Sequence, residues 1–365
     1  MVKERVRVAG SVLEQSDLVR AGTFARLPDS FYYFHHSTHS STMFRCSRAI
    51  SLRTWQNASP RMITHRTMTT QLGSGQQGGL QDPAAYCKDL VLKKDYDAFT
   101  LSHFYPRDLQ GAYFALRAFY VELSTVQEAV SNAVIGKMRM QFWRDAIKDI
   151  SNGKPPHHPI ALALYDAMQN HNLPAYHLKR IVDARDAELH SPTHLTLESL
   201  TAHAESTSST FLYLLLSLLS LSSSSTLSHA ASHVGVSQSI STLLRALPFH
   251  AANGRMVIPA EITARHGVSQ EEVFRKGGHA KGIDEAVFEF ATVANDHLIT
   301  AREMFKESGG KVVQRARPVF MTAIPAALYL ERLEKVNFDA FHPSLQLRTW
   351  RLPWRVYRGY YNGRF

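Results

Sequence analysis

Three features of this sequence predict an all-α fold. Helix-start residues recur along the chain, at Asp82-Pro83, Pro106, Pro174, Thr196 and Ser269. Between them, apolar residues return every three or four positions, the spacing that places them on one face of a helix. No stretch sustains the period-two alternation of a half-buried strand.

The elements follow in order. Asp82 can cap a helix whose first turn holds Pro83, with Tyr86, Leu90 and Val91 facing inward. Pro106 opens a second helix carrying Leu109, Ala112, Tyr113, Leu116, Leu123 and Val126. A third face reads as Ile135, Met138, Phe142 and Ile150, and Pro174 opens a fourth through Leu178, Ile181, Val182 and Leu189. Thr196 precedes one long apolar helix that ends in the serine-rich loop Ser222–Thr226. Ile240, Leu243, Leu244 and Leu247 form the next face, expected to stop near Pro248. Ser269 and Glu272 are spaced as a capping box. Between Gly277-Gly278 and Gly309-Gly310 lies a helix bearing Ile283, Val287, Phe290 and Leu298.

At 365 residues and 44% hydrophobic, the chain can bury a large core. Its net charge of +10 is unevenly placed: residues 1–81 hold ten Lys/Arg against four Asp/Glu, leaving 31 against 27 for the rest. The nearly balanced body, with no basic run interleaved with aromatics, excludes an ordinary nucleic-acid-binding face. Residues 1–81 read instead as a targeting leader. From Ser30 to Gln81 there is no acidic residue, while Arg45, Arg48, Arg53, Arg61 and Arg66 lie among many Ser and Thr, the composition of a mitochondrial transit peptide. Met43 opens the better presequence, so residues 1–42 read as an upstream extension. A matrix form is expected to begin between Ile63 and Gln81, making 82–365 the folded domain. With Cys46 in the leader, Cys87 stands alone in that domain and no intramolecular disulfide can form there. The most apolar run, Phe211–Leu221, is about half the ~20 residues of a spanning helix.

Common catalytic signatures are absent: no P-loop, dinucleotide fingerprint, CxxC pair or nucleophile elbow occurs. His229 and His233 share a helix face at i, i+4 but have no third ligand, so they read as a structural pair. Asp183, Asp186 and Glu188, beside Arg180 and Arg185, read as a solvated face with i, i+3 pairing.

Two segments carry a resemblance. YFALRAFYVELSTVQEAV followed by MRMQFWRDAIKDI (Tyr113–Ile150), and GVSQSISTLLRALPFHAANGRMVIPAEITARHGVSQEEVF (Gly235–Phe274), are together similar to the squalene/phytoene synthase family. The better matches are the turn at Trp143, Arg144 and Asp145, and Gly254-Arg255 with Ile258-Pro259. The resemblance implies an isoprenoid (terpenoid) synthase-like helical bundle around a central cavity. Enzymes of this family join prenyl diphosphates held through Mg²⁺, a hard cation needing oxygen ligands in an octahedron. They supply those ligands as aspartates four residues apart on two facing helices.

Here the first aspartate motif falls on Ser124 and Glu128, with Val121 and Glu122 where basic residues are usual. The second falls on Thr242, Ala246 and His250, with Arg245 kept, and His203 stands in place of a tyrosine. Only Glu128 retains a carboxylate. Two metal-diphosphate sites cannot be built from these residues, unless Asp183 or Glu188 enters the cavity from a neighbouring helix. The expectation is therefore a protein with no catalytic residues, no resident metal and no cofactor, Mg²⁺ mattering only if transferase activity survives. IGKMRMQFWRDA, AASHVG and the closing FHPSLQ narrow the resemblance to a mitochondrial subgroup of the family that serves respiratory complex I assembly. That subgroup implies a matrix-side protein whose partners are assembly intermediates or a membrane subunit, with peripheral inner-membrane contact. Two alternatives stay open, an active farnesyl or geranylgeranyl diphosphate transferase and a module that holds a lipid or quinone in an apolar cavity.

Overall fold

The computed structural model describes residues 82–129 and 132–365. In chain order these form α1 (Pro83–Lys94), α2 (Tyr96–Ser102), α3 (Gln110–Ala129), α4 (Ala133–Ser151), α5 (Pro159–Asn170), α6 (Ala175–His190), α7 (Leu197–Ala204) and α8 (Thr210–Leu218). There follow α9 (Ser225–Ala252), α10 (Ala260–Arg265), α11 (Gln270–Lys276), α12 (Ile283–Glu303), α13 (Arg317–Phe320), α14 (Ala323–Lys335), α15 (Pro343–Gln346) and α16 (Arg351–Asn362). No strand occurs among the described residues. The leader read over residues 1–81, its start and cleavage sites and Cys46 lie outside them.

Local signals set several helix starts. Asp82 Oδ1 accepts the Ala84 N–H at 3.1 Å with Pro83 in the first turn of α1, and Thr196 Oγ1 accepts the Ser199 N–H at 3.1 Å to open α7. Ser269 accepts the Glu272 N–H at 3.4 Å to open α11. Each satisfies a helix-end donor that would otherwise be orphaned.

The core forms where α12 lies along α9, α1 packs on α3 and α5, and α4 packs on α6. Ile240, Leu244 and Leu247 of α9 and Ile283, Val287, Phe290 and Leu298 of α12 are buried. Cys87 is buried in α1, and burial together with nearby Asp82 pushes its thiol up to about 12. A second, smaller apolar cluster seats Leu352 and Val356 of α16 on Met321, Ile324 and Leu328. No helix among the described residues is long and apolar enough to cross a membrane.

Three elements differ from the sequence expectation. In α4 the inward face is Met140, Trp143, Ala146, Ile147 and Ile150, whereas Ile135, Met138 and Phe142 are exposed. Apolar residues occupy both faces of that helix, so spacing alone could not choose between them. The helix carrying Ile240–Leu247 does not stop at Pro248 but runs on to Ala252. A proline deletes one backbone hydrogen bond of a helix, and the following turn re-forms, with Asn253 capping onto the carbonyl of His250. The long apolar helix expected after Thr196 is interrupted by a π-helical turn, Glu205–Ser209, between α7 and α8.

That turn has an identifiable cause. Ser209 Oγ donates to the Ser232 carbonyl on α9 at 2.9 Å, Thr210 Oγ1 donates to the Glu205 carbonyl at 2.8 Å, and the Ser232 hydroxyl donates to Glu205. The bulge brings its backbone against α9 at Gly235, where a Cβ would lie 2.5 Å from the Ser209 nitrogen. Only glycine leaves room for that approach.

Candidate functional site

A cavity of about 490 Å³ lies between α3 and α9, closed by α2, the ends of α6 and α7, and α14. Helix α3 presents Ser124 and Glu128 to it, and α9 presents Thr242, Arg245, Ala246 and His250. His203 from α7 and Arg255, just beyond α9, complete that part of the lining. The other family-motif positions lie elsewhere. Trp143 is buried against the rings of Phe119 and His158, at 5.2 Å from each. Arg144 bridges α4 to α6, with Nε 2.8 Å from Asp183 and Nη2 2.7 Å from Asp186. Asp145 accepts from Gln141 Nε2 at 3.0 Å. Gly254 ends α9 with φ +69°, a left-handed geometry that favours glycine and lets the chain turn so that Arg255 N–H donates to His250 O at 2.9 Å.

Glu188 is the hub of the polar end. Far from the solvated face expected of it, its side chain is only 14% exposed. Arg185 Nη1 meets one carboxylate oxygen at 2.7 Å, Arg255 Nη2 the other at 3.4 Å, and His203 Nε2 lies 3.6 Å away. Burial pushes this carboxyl upward, but Arg185, aided by His203 and Arg255, holds it down at about 2. From Arg185 a chain of hydrogen bonds crosses the cavity wall. Its Nη2 donates to Tyr120 OH at 3.3 Å, that hydroxyl is 2.9 Å from Ser208 Oγ, and Ser208 Oγ is 2.7 Å from Ser239 Oγ. Arg255 Nη1 also donates to Gln127 Oε1 at 2.6 Å.

At the opposite end, Asp95 caps α2 through the Ala98 N–H at 3.1 Å and takes Arg117 Nε at 2.7 Å. The Arg117 guanidinium also sits 5.0 Å from the centre of the Phe211 ring. Asp97 pairs with Arg245 at 3.2 Å. Of the four carboxylates lining the cavity, Asp95, Asp97 and Glu188 are thus held by arginines, and Glu128 has no arginine partner among the described residues.

This donor set does not fit a magnesium-diphosphate clamp. Ser124 turns its hydroxyl back to the Val121 carbonyl at 2.9 Å, and Ala246 and His250 offer no oxygen side chain. Glu188 does enter the cavity, but its lone pairs are taken by guanidinium groups, while Asp183 is spent on Arg144. Among the described residues no group of three or more His, Cys, Asp and Glu is arranged to hold a metal ion. On four residues that line the cavity, Arg185 Nε, Arg255 Nε and the hydroxyls of Ser241 and Tyr329 are buried with no hydrogen-bond partner among the described residues.

Sequence reasoning overlooked Asp95, Arg117, Tyr120, Gln127 and Ser239. The i, i+3 pair Arg185–Glu188 was visible, but not that Arg255 closes on the other carboxylate oxygen. His233, on α9 outside this cavity, pairs with His297 of α12 at 2.8 Å between Nδ1 atoms instead of with His229.

His203 gives the domain a pH dependence. Burial, only partly offset by Glu188, lowers its imidazole to about 4, below the ~6.5 of an unfolded chain. A depressed folded value means stability that is present above pH ~6.5 and lost as pH falls toward 4. Urea unfolding of His203→Gln is expected to fall between pH 7 and pH 5 by about 2 kcal/mol less than that of the parent chain. Identical slopes would show that His203 does not titrate in this range.

The cavity between helices and the all-helical frame define a squalene/phytoene synthase-type fold. Residues 91–358 match the squalene/phytoene synthase family model. The chain belongs to that family. Solved structures agree in fold: a dehydrosqualene synthase aligns with TM-score 0.64 at 15% identity over 76% of this chain and 94% of that one. A squalene synthase from Alicyclobacillus acidocaldarius aligns with TM-score 0.62 at 14% identity over 70% and 95%. In sequence the chain is similar to the human protein named NADH dehydrogenase (ubiquinone) complex I, assembly factor 6, at 38% identity over 81% of this chain and 86% of that protein. The Rattus norvegicus protein of that name is 38% identical over 76% and 82%, and the Drosophila melanogaster homolog 37% over 75% and 82%.

Proposed function

We propose that this protein is a non-catalytic member of its family that acts in the assembly of mitochondrial respiratory complex I, from the matrix side of the inner membrane. The observation that carries the reading is the 37–38% identity, across most of both chains, to proteins named as complex I assembly factors. The cavity chemistry supports it, because three of four lining carboxylates are neutralised by arginines and the fourth cannot build a magnesium site alone. The acid-poor, Arg-bearing leader supports the address. Its partners are then assembly intermediates or a membrane subunit of the complex.

A complementation assay tests this. In mitochondria lacking the protein, Glu128→Ala is expected to restore complex I on native gels, because no metal charge is held there. Leu244→Ala removes a fully buried side chain, at a cost of about 2–5 kcal/mol, and is expected to accumulate poorly and leave complex I deficient. Loss of function by Glu128→Ala at normal protein level would reopen the catalytic reading. So would magnesium-dependent release of diphosphate from farnesyl or geranylgeranyl diphosphate by the purified chain.

One observation favours a second reading. Arg185, Arg255, Ser241 and Tyr329 line a cavity of lipid-binding size, and each keeps a buried donor with no partner among the described residues. A module holding a prenyl lipid or quinone by its polar head could use these polar groups after a side-chain rotation. Saturable binding of such a lipid without turnover would establish it.

A further inference from the structure

We infer that α16 is a membrane-docking element that lays an aromatic ridge, flanked by arginines, on an anionic phospholipid surface. Trp350, at its N-cap, and Trp354, Tyr357 and Tyr361 are 81%, 63%, 49% and 63% exposed. Steps of about 100° per residue bring these four positions within roughly 60° of arc, so they form one ridge. Their rings continue one another, with Trp354 stacked on Tyr357 at 5.9 Å and Tyr357 against Tyr361 at 4.6 Å. Leu352 and Val356 point the other way, into the smaller apolar cluster, which fixes the ridge facing outward.

The polar atoms choose the occupant. The indole N–H groups of Trp350 and Trp354 and the hydroxyls of Tyr357 and Tyr361 make no hydrogen bond among the described residues, as suits side chains that sit at headgroup level. From Ala340 to Phe365 there are five arginines and no acidic residue. Arg355 is paired with Glu331, but Arg348, Arg351 and Arg358 are exposed and have no acidic partner among the described residues. A convex ridge of amphipathic aromatics beside uncompensated cations matches a helix lying in the interfacial plane of a negatively charged bilayer. Trp, Tyr and Arg also anchor protein interfaces, so a protein partner is the alternative outcome of the test below.

The inference takes from the proposed function only which membrane is met. Its test contains no complex I, so either can fail while the other stands. The purified chain is mixed with vesicles of phosphatidylcholine alone or of phosphatidylcholine with cardiolipin, and binding is read by sedimentation and tryptophan emission. Sedimentation with the cardiolipin vesicles only, weakened by salt, with a blue shift from Trp350 and Trp354, is expected. Each unit of charge near such a surface is worth about fivefold in affinity. Arg351→Glu/Arg358→Glu reverses two cations, a shift of about four units, and should weaken binding by roughly several hundredfold. Trp354→Ala/Tyr357→Ala should weaken it at least about tenfold and reduce the blue shift. These side chains are exposed, and an unchanged thermal melt confirms that each variant is folded. Equal binding to both vesicles, binding to neither, or undiminished binding by the folded charge variant would overturn the inference. Crosslinking of α16 to an assembly intermediate by a chain that ignores vesicles would also overturn it, as a protein-docking surface.

Discussion

Glu188→Ala is expected to cost about 3–5 kcal/mol of folding stability, the usual penalty for deleting one partner of a buried ion pair. The reason lies in what stays behind. Arg185 and Arg255 converge on this one carboxylate, and both are largely sequestered from water. Without it, two guanidinium groups face each other across the end of the cavity with no counter-charge. Against a domain stability of about 5–15 kcal/mol, that loss should be plain in a urea midpoint. Glu188→Gln should fall between, since the amide oxygen still accepts one hydrogen bond. The pairing also predicts non-additivity, so Glu188→Ala/Arg185→Ala should lose less than the two single changes summed. The carboxyl is held near 2, below its unfolded value, so its contribution persists above pH ~4.5 and disappears as pH falls toward 2. A loss under about 1 kcal/mol at neutral pH, the scale of an exposed pair, would mean that the hub is effectively solvated.

The second large effect is expected at Gly235. An added methyl there would lie 2.5 Å from the nitrogen and 2.6 Å from the Cα of Ser209. These are backbone atoms of the π turn, and no rotamer change relieves the overlap. Gly235→Ala should therefore reach or exceed the upper end of the roughly 1–3 kcal/mol typical of overpacking, by forcing the turn and α9 apart. Gly111 is the natural control. It lies in the first turn of α3 with nothing within 4 Å of where a methyl would sit. Gly111→Ala should be neutral or stabilising by up to about 1 kcal/mol. Opposite signs from the same chemical change would trace the cost to the helix contact, and a silent Gly235→Ala would show that the π turn yields.

Helices were legible wherever local chemistry announces them. Asp82-Pro83, Thr196 and Ser269 each cap a helix through a contact no more than four residues away, so a short window of sequence contains the cause. Orientation and long-range pairing were not. In α4, Met138 and Met140 are equally apolar, and Met140 is the buried one because of how α4 packs on α6, α5 and α3, none of which its own sequence reveals. The π turn depends on Ser232 and Gly235, more than twenty residues beyond it. Ser124, Glu128, Thr242, Arg245, Ala246 and His250, the motif positions expected at a cavity, line this one, as do His203 and Arg255, but the motifs carried nothing of the use made of Glu188. Its second arginine lies 67 positions downstream, a distance across which spacing rules carry no information.

Burial of Cys87 turns the domain into its own reporter of opening. Alkylating agents and oxidants attack the thiolate, and this thiol is both out of reach and held near 12 while the helices are closed. Once the chain unfolds, the same sulfur becomes an ordinary accessible cysteine. Pulse labelling with a maleimide therefore counts open molecules, with no engineered probe, provided Cys46 is replaced by serine. Applied to intact organelles, the rate at which Cys87 is captured would rank Glu188→Ala and Gly235→Ala by how often each opens inside the cell.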